Sequence, residues 1–190
     1  DTLISRAHQV QLRAGPAEDS ARMFTLGAIS SIQQGLGRLA ASESTYRNLL
    51  PLSRQFLGPD SPELGQHLAE FAGTLAEGGK FAEATDVARE AVEIFGRTLG
   101  ETDPTRLTAE QTYAQLLDDM GSLDSAYALS LTVRDRMRRI YPEGHVILAV
   151  QISNLAGVQS RRGDSLGALV SYVEGASMMR RVMPPGHQYA

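Results

Sequence analysis

The stretch that decides the fold runs from Leu57 to Thr98 and reads LGPDSPELGQHLAEFAGTLAEGGKFAEATDVAREAVEIFGRT. Its opening, LGPDSP, is matched by LGETDP at Leu99 and by YPEGHV at Tyr141, so each copy starts 42 positions after the last. Four successive copies carry a glycine at the same place, namely Gly37, Gly79, Gly121 and Gly163. The chain is therefore an array of repeats, in which each copy buries its apolar face only against its neighbours.

The repeat boundaries divide the 190 residues into a single array. Its segments are a leftover second helix at 1–14, repeats at 15–56, 57–98, 99–140 and 141–182, and the start of a further repeat at 183–190. The sequence has no initial Met and stops inside a repeat. We therefore expect an excerpt of a longer chain.

Each repeat contains two helical halves separated by the shared glycine. In the second copy, apolar residues of the first half recur at steps of three and four, as Leu64, Leu68, Phe71, Ala72 and Leu75. The pairs Ser61-Pro62 and Asp103-Pro104 each supply a capping oxygen followed by proline, which predicts a helix start. The glycine predicts the helix end, because a left-handed residue after the cap is favourable only without a Cβ. Each repeat is therefore predicted to be a helical hairpin, and the fold to be all-α.

The second half of the second copy repeats the helical spacing in Phe81, Ala84, Val87, Ala88, Ala91 and Ile94. Two columns hold only small residues, which lets the helices of a hairpin approach closely. These columns are Ser30, Ala72, Ala114 and Ala156 in the first helices, and Ser42, Ala84, Ala126 and Ala168 in the second. Pro51 lies late in the second helix of the first copy, so we predict a kink or an early end near Leu50.

Composition limits the classes of function. The chain has no cysteine, which excludes disulfides and thiolate metal sites and fits a reducing compartment. A net charge of −4 and a pI near 5.6 argue against nucleic-acid binding. No apolar run reaches the ~18 residues that span a bilayer. Lys80 is the only lysine among 18 basic residues, which favours a bacterial source with a GC-rich genome. We expect a soluble, cytoplasmic protein that does not bind membranes.

Motifs associated with catalysis fall at hairpin turns. Gly163–Leu166 spells GDSL, which opens a family of serine hydrolases, but no strand is predicted before it, as a nucleophile turn requires. Gly35–Ala40 resembles a dinucleotide fingerprint and also lies between helices. His145 and His187 occupy the same linker position in adjacent repeats, and no set of donors has the spacing of a metal site. We predict that the chain is not an enzyme and has no cofactor or metal.

Four arginines alternate along the second helix of the third copy: Arg134, Arg136, Arg138 and Arg139. On one stripe they would suggest RNA or an acidic partner. Because charged residues on a helix surface are by default solvated, we expect solvated charges paired with Asp135 and Glu174.

The columns of the second copy resemble the tetratricopeptide repeat at Phe71, Ala72, Leu75, Gly79, Phe81, Ala84, Ala88 and Ala91. The 42-residue unit, with LGPDSP between hairpins and the run Ser153–Asp164, resembles the kinesin-light-chain-like subclass. This resemblance implies a right-handed superhelical α-solenoid whose concave wall, lined by the first helices, binds peptides or protein segments. Carried over column by column, that wall comprises Gln66, Gly73, Glu77, Thr108, Gln111, Gln115, Asp118, Asp119, Val150, Ser153, Asn154 and Arg161.

The predicted wall leads to a first hypothesis, a scaffold that docks a protein or peptide segment. Its amides and hydroxyls suit a peptide backbone, whereas Asp118, Asp119 and Arg161 would select charge. A second hypothesis is a regulatory or sensor segment of a larger bacterial signalling enzyme, linked to a kinase or protease. A third is end-to-end self-association through apolar faces at Leu3, Val10, Met178 and Val182. A solvated groove without a natural peptide is the alternative to all three.

Overall fold

The computed structural model describes residues 16–183, including the side chains of residues 20–183. Between these bounds it contains eight α-helices and no β-strand, so the predicted all-α fold is confirmed. The helices are α1 (Pro16–Gly35), α2 (Leu39–Leu57), α3 (Pro62–Glu77), α4 (Phe81–Thr98), α5 (Pro104–Asp119), α6 (Leu123–Ile140), α7 (Val146–Arg161) and α8 (Ser165–Val182). The partial repeats predicted at 1–14 and 183–190 lie outside the described residues, apart from Met183.

Consecutive helices pack in pairs as hairpins: α1 with α2, α3 with α4, α5 with α6, and α7 with α8. The chain divides into two compact units, Asp1–Thr98 and Leu99–Ala190. In the first unit, α2 also packs against α3, and in the second unit α6 also packs against α7. Each unit is therefore a pair of stacked hairpins with a core of its own.

The hairpin turns form as the shared glycines predict. These four glycines have φ values of 68°, 75°, 75° and 85° in chain order, all in the left-handed region. At the second hairpin the N–H of Gly79 donates to the carbonyl of Ala76 at 2.9 Å, and the N–H of Lys80 to that of Leu75 at 2.8 Å. These bonds satisfy carbonyls that the end of α3 would leave unpaired.

The predicted helix starts are also confirmed. Ser61 Oγ accepts a hydrogen bond from the backbone N–H of Glu63 at 3.2 Å, ahead of α3. Asp103 Oδ1 accepts one from the N–H of Thr105 at 2.8 Å, ahead of α5. In both helices a proline fills the first position, where a missing N–H costs nothing.

The core follows the predicted columns. All five predicted apolar residues of α3 are buried, and the eight members of the two small-residue columns are between 0% and 4% exposed. In α4, Phe81 keeps the helical spacing but is 41% exposed, and Phe95, which is not among the residues of the predicted set, is 1% exposed. The ring of Phe95 packs so closely on Gly65 that a Cβ there would lie 2.7 Å from Phe95 Cε1.

Of the two outcomes predicted for Pro51, the early end near Leu50 is wrong, and the kink stays a prediction. Helix α2 continues to Leu57, with Pro51 inside it and exposed to solvent. Tyr46, Leu49 and Leu50 are buried on the opposite side. Their packing against the other helices of the first unit stabilises α2 although Pro51 has no backbone N–H to donate. Tertiary burial here outweighs the intrinsic preference of one residue.

The arginines of α6 are only partly as predicted. Arg134 pairs with Asp135 at 2.8 Å and Arg138 with Glu174 at 2.6 Å. Arg136, however, is not a solvated charge, since its side chain is 14% exposed and lies 2.7 Å from Glu110 Oε2.

Glu110 is the centre of a buried ion triad, defined as Arg106, Glu110 and Arg136. Arg106 Nε donates to Glu110 Oε1 at 2.9 Å, and the Glu110 side chain is only 4% exposed. In the preceding repeat the same three positions are the buried Leu64, Leu68 and Ile94. The third repeat thus replaces three apolar core residues with paired charges, and this explains why Arg136 turns inward.

The apolar residues predicted at the ends of the array need a correction. Met178 and Val182 are only partly exposed, and Met178 packs against the core cluster of the second unit. The exposed apolar side chains of α8 are instead Leu166, Leu169, Val170 and Val173. Leu3 and Val10 lie outside the described residues.

Candidate functional site

The second unit contains a partly open cavity of about 430 Å³ between its first helices, α5 and α7. Helices α6 and α8 each contribute one lining residue, Ser130 and Tyr172. Six residues of the predicted wall line this cavity: Gln111, Gln115, Asp118, Asp119, Ser153 and Asn154. The stacking of two hairpins therefore brings together residues that are up to 43 positions apart in sequence.

Three other wall residues of the second unit do not line the cavity. Thr108 is exposed, and its hydroxyl donates to the carbonyl of Pro104 on its own helix at 2.8 Å. Val150 is 41% exposed. Arg161 lies beside the cavity and contacts it only through Asp118.

An ion pair joins the C-terminal ends of α5 and α7. Arg161 donates through one terminal nitrogen to Asp118 Oδ2 at 2.9 Å and through the other to the backbone carbonyl of Asp118 at 2.8 Å. The arginine thus neutralises one carboxylate and caps a carbonyl at a helix C-terminus, where a cation is favoured. Asp119, next to it, is exposed and carries a second negative charge.

Sequence analysis assigned no binding role to Ser130, Gln151 and Tyr172, which also line the cavity. Gln151 is 1% exposed, and its Nε2 donates to the carbonyl of Ser130 at 3.3 Å. Gln151 is buried, and Ser130 and Tyr172 lie on second helices, so a wall carried over from the exposed side of the first helices did not include them. Two features of the sequence could have indicated these residues. Gln151 is a glutamine at a buried helix position, and Ser130 lies in the column where the first copy has Tyr46.

Two buried acceptors in this site have no hydrogen-bond partner among the described residues. They are Asp118 Oδ1 and Gln151 Oε1, and both residues line the cavity. A buried acceptor without a donor costs about 1–3 kcal/mol, more when it is charged. The base of the cavity is therefore arranged to receive hydrogen-bond donors.

The wall of the first unit is occupied by its own side chains. Gln66 Nε2 donates to Glu70 Oε1 at 3.1 Å, and Gln34 Nε2 donates to Glu77 Oε1 at 3.1 Å. Gly73 lies under Gln34, since a Cβ at this glycine would be 3.4 Å from the Gln34 amide nitrogen. The predicted residues of this unit thus line a surface held by internal hydrogen bonds.

Tyr46 and His67 fill the interior behind that surface. Tyr46 is fully buried, and its hydroxyl donates to Glu70 Oε2 at 2.9 Å. Burial, together with the neighbouring Glu70 carboxylate, raises the pKa of the Tyr46 phenol, which stays protonated as a donor. Burial lowers the pKa of His67, whose Nδ1 lies 2.9 Å from Ser53 Oγ.

In the described part of the chain, no helix has the length and apolar character needed to cross a membrane. Among the same residues, no group of three or more His, Cys, Asp or Glu side chains is placed to hold a metal ion.

Comparison with known proteins supports the architecture. Residues 20–97 match the model of the tetratricopeptide repeat family. One similar solved structure is that of the Podosopora anserina putative kinesin light chain nearly identical TPR-like repeats. Its TM-score is 0.78 at 17% identity, and the match covers 88% of this chain and 80% of that chain. BtubC (BKLC) from P. vanneervenii is similar with a TM-score of 0.74 and 17% identity, over 97% of this chain and 72% of that one.

A third similar structure is a Rap protein complexed with Competence and Sporulation Factor. Its TM-score is 0.69 at 12% identity, and the match covers 95% of this chain and 48% of the Rap protein. No curated protein sequence matches the chain. At these identities the likeness to solved structures shows the fold alone.

The predicted resemblance to the tetratricopeptide repeat is confirmed, and residues 20–97 carry that repeat. The narrower assignment to the 42-residue kinesin-light-chain-like subclass stays a prediction. The fold is a scaffold of a kind that commonly binds proteins.

Proposed function

We propose that the chain is a non-catalytic scaffold that docks an extended protein or peptide segment in the cavity of the second unit. The observation that carries this proposal is the clustering of Gln111, Gln115, Ser153 and Asn154 around one partly open cavity. Amide and hydroxyl groups pair with backbone N–H and C=O groups, and therefore hold an extended chain without fixing its sequence.

The comparisons support docking on this fold. One similar structure is that of a Rap protein complexed with Competence and Sporulation Factor. The GDSL motif supports a non-catalytic role, because Asp164 caps α8 by accepting from the N–H of Gly167 at 2.9 Å at a helix-to-helix turn. The tetrapeptide is therefore part of a helix cap.

The test begins with a random dodecapeptide library displayed on phage and panned against the full chain. Recovered peptides are synthesised with acetylated N-termini, and their dissociation constants are measured by fluorescence anisotropy. The double variant Gln111→Ala/Asn154→Ala removes two amides from the cavity rim. It should weaken binding about ten-fold, since each hydrogen bond contributes about 0.5–1.5 kcal/mol.

A matched control removes two exposed amides from α2, as Asn48→Ala/Gln55→Ala. This control should leave binding unchanged, and circular dichroism should show the same helicity for all three proteins. Equal affinity for the wild type and the cavity variant would contradict docking at this site. Recovery of no peptide at all would contradict the docking function itself.

A second candidate is self-association through α8, favoured by one observation. Leu166, Leu169, Val170 and Val173 are 74%, 60%, 60% and 56% exposed, at helical spacing. A second copy offers the same uncharged stripe, and a two-fold contact pairs it with itself. Sedimentation velocity should then show a dimer that Leu169→Arg/Val173→Arg dissociates; a monomeric wild type at high concentration would contradict it.

A further inference from the structure

The cavity of the second unit lies where the first unit has a buried tyrosine. Tyr46 and Ser130 occupy the same repeat position two copies apart, 84 positions along the chain. In the first unit the Tyr46 ring is 0% exposed and its hydroxyl is bound to Glu70. In the second unit a serine replaces the ring, and Ser130 lines the cavity. At this repeat position one unit therefore has a buried ring and the other has a cavity.

The hollow presents acceptors at its base. Gln151 is 99% buried and its amide nitrogen is used on the Ser130 carbonyl, which leaves Oε1 without a donor among the described residues. Asp118 Oδ1 is unpaired in the same way, because Arg161 binds the other carboxylate oxygen. Two acceptors, one from each of the stacked first helices, thus need a donor that the described residues do not supply.

The charge of the site also favours a cation. Asp118 and Asp119 both lie in the last turn of α5, where the carbonyl end of the helix adds partial negative charge. Arg161 offsets one of the two carboxylates, so a negative charge remains at the cavity. An anionic ligand would meet two carboxylates and the amide oxygen of Gln151, and an apolar one would leave both unpaired acceptors buried without a donor.

We propose that this cavity is a specificity pocket for the cationic head group of a lysine or arginine side chain on the docked segment. An ammonium or guanidinium group has several N–H donors and no acceptor, which matches the unpaired Asp118 Oδ1 and Gln151 Oε1. This inference rests on the proposed docking function and adds the class of residue that the site selects.

The first experiment uses the peptides recovered from the phage library. They should be enriched in lysine or arginine relative to the unselected library. Replacing that residue of the tightest peptide by norleucine, which is uncharged, should weaken binding to the wild-type chain at least ten-fold. Asp118→Asn should weaken the cationic peptide by a similar factor and change the norleucine peptide by less than about two-fold.

The outcomes separate the two proposals. Peptides that bind without enrichment of lysine or arginine, and that still lose affinity in Gln111→Ala/Asn154→Ala, would overturn the cation pocket and keep the docking function. Recovery of no peptide would overturn both. Equal losses for the cationic and norleucine peptides in Asp118→Asn would also overturn the pocket, because the carboxylate would then act only on the fold.

A second variant fills the cavity with the side chain that the first unit has at the equivalent position. Ser130→Tyr places in the second unit the ring that Tyr46 places in the first, so it should abolish binding of the cationic peptide while the helicity is kept. Thr132→Tyr, on the exposed face of the same helix, is the control and should bind as the wild type does. Unchanged binding in Ser130→Tyr, with intact helicity, would contradict a pocket at this place.

Discussion

Single residues decide how closely the helices approach, and Gly65 is the clearest case. A Cβ at this buried position would lie 2.7 Å from Cε1 of Phe95 and 3.1 Å from two further ring atoms. Gly65→Ala gains about 1 kcal/mol in helix preference but forces the ring aside, which costs about 1–3 kcal/mol. We expect a net loss of about 1 kcal/mol in the free energy of unfolding, measured by urea denaturation.

Gly27 provides the matched control for that substitution. It also lies inside a helix, but a Cβ there would meet only His67 Nε2 at 3.5 Å and Leu49 Cδ2 at 4.0 Å, which are ordinary contacts. Gly27→Ala should therefore stabilise the chain by about 0.5–1 kcal/mol. Stabilisation by both substitutions would show that Phe95 moves away without cost.

At this scale the sequence predicted features that are local. The cap at Ser61 and the left-handed turn at Gly79 depend on neighbouring residues only, and both were predicted correctly. Phe81 keeps the helical spacing and is nevertheless exposed, because spacing alone does not show which residue of a wide apolar face reaches the solvent. The unpaired acceptor of Gln151 depends on a second hairpin, and spacing within one helix does not reveal it.

Among the helices, the hairpin of α5 and α6 differs from the others through its buried triad. Arg106, Glu110 and Arg136 replace apolar residues of the second repeat, and the Glu110 carboxylate receives hydrogen bonds from both arginines. Buried ion pairs gain little over apolar packing, because both charges lose their hydration. The loss of one member is costly, since it leaves a charge buried without its partner.

Glu110→Leu alone leaves two buried arginines facing each other and should lower the free energy of unfolding by about 3–5 kcal/mol. The triple variant Arg106→Leu/Glu110→Leu/Arg136→Ile installs the residues of the second repeat and should be neutral or stabilising by about 1–4 kcal/mol. Guanidinium denaturation measures both. A triple variant as unstable as Glu110→Leu would show that the triad is needed for the hairpin to pack.

The element scale also shows why α2 was wrongly predicted. Proline inside a helix disfavours it by about 3 kcal/mol, and the early end near Leu50 was based on that local preference. The helix nevertheless continues to Leu57, because Leu49 and Ser53, on either side of Pro51, are buried against the rest of the first unit. Burial of this kind depends on partners that are distant in sequence.

For the molecule as a whole, stability should depend on pH through His67. Burial lowers the pKa of this histidine in the folded chain, and Glu70 and Glu63 oppose that effect only partly. Below a pH of about 6.5 the unfolded chain takes up a proton that the folded chain resists. The free energy of unfolding should therefore be at its full value above that pH and should fall as the pH is lowered toward the folded pKa.

His67→Gln tests this dependence with the residue that the chain itself places at the equivalent position, Gln151. Urea denaturation of both proteins between pH 5 and 7.5 should give a difference in stability that changes with pH. A difference that stays constant over this range would show that His67 does not titrate differently in the two states. Glu43 and Glu63, whose pKa values are lowered, act in a more acidic range and should not affect the comparison.

At the level of the whole chain, the 42-residue period was enough to predict helical hairpins, and the resemblance to the tetratricopeptide repeat named six residues that line one cavity. The period was not enough to predict the cavity of the second unit. The cavity follows from Ser130 in place of Tyr46, and the effect of that exchange depends on which side chains meet when two hairpins stack.

The buried triad also bears on how a chain of similar repeats avoids pairing the wrong helices. Among the second helices α4, α6 and α8, only α6 has an arginine at this position, Arg136. The equivalent residues of α4 and α8 are Ile94 and Met178. A hairpin assembled from α5 and either of those helices would leave the Glu110 carboxylate with one arginine instead of two. The triad therefore makes helix pairing specific within an otherwise repetitive sequence. It raises the free energy of exchanged pairings more than it lowers that of the native pairing.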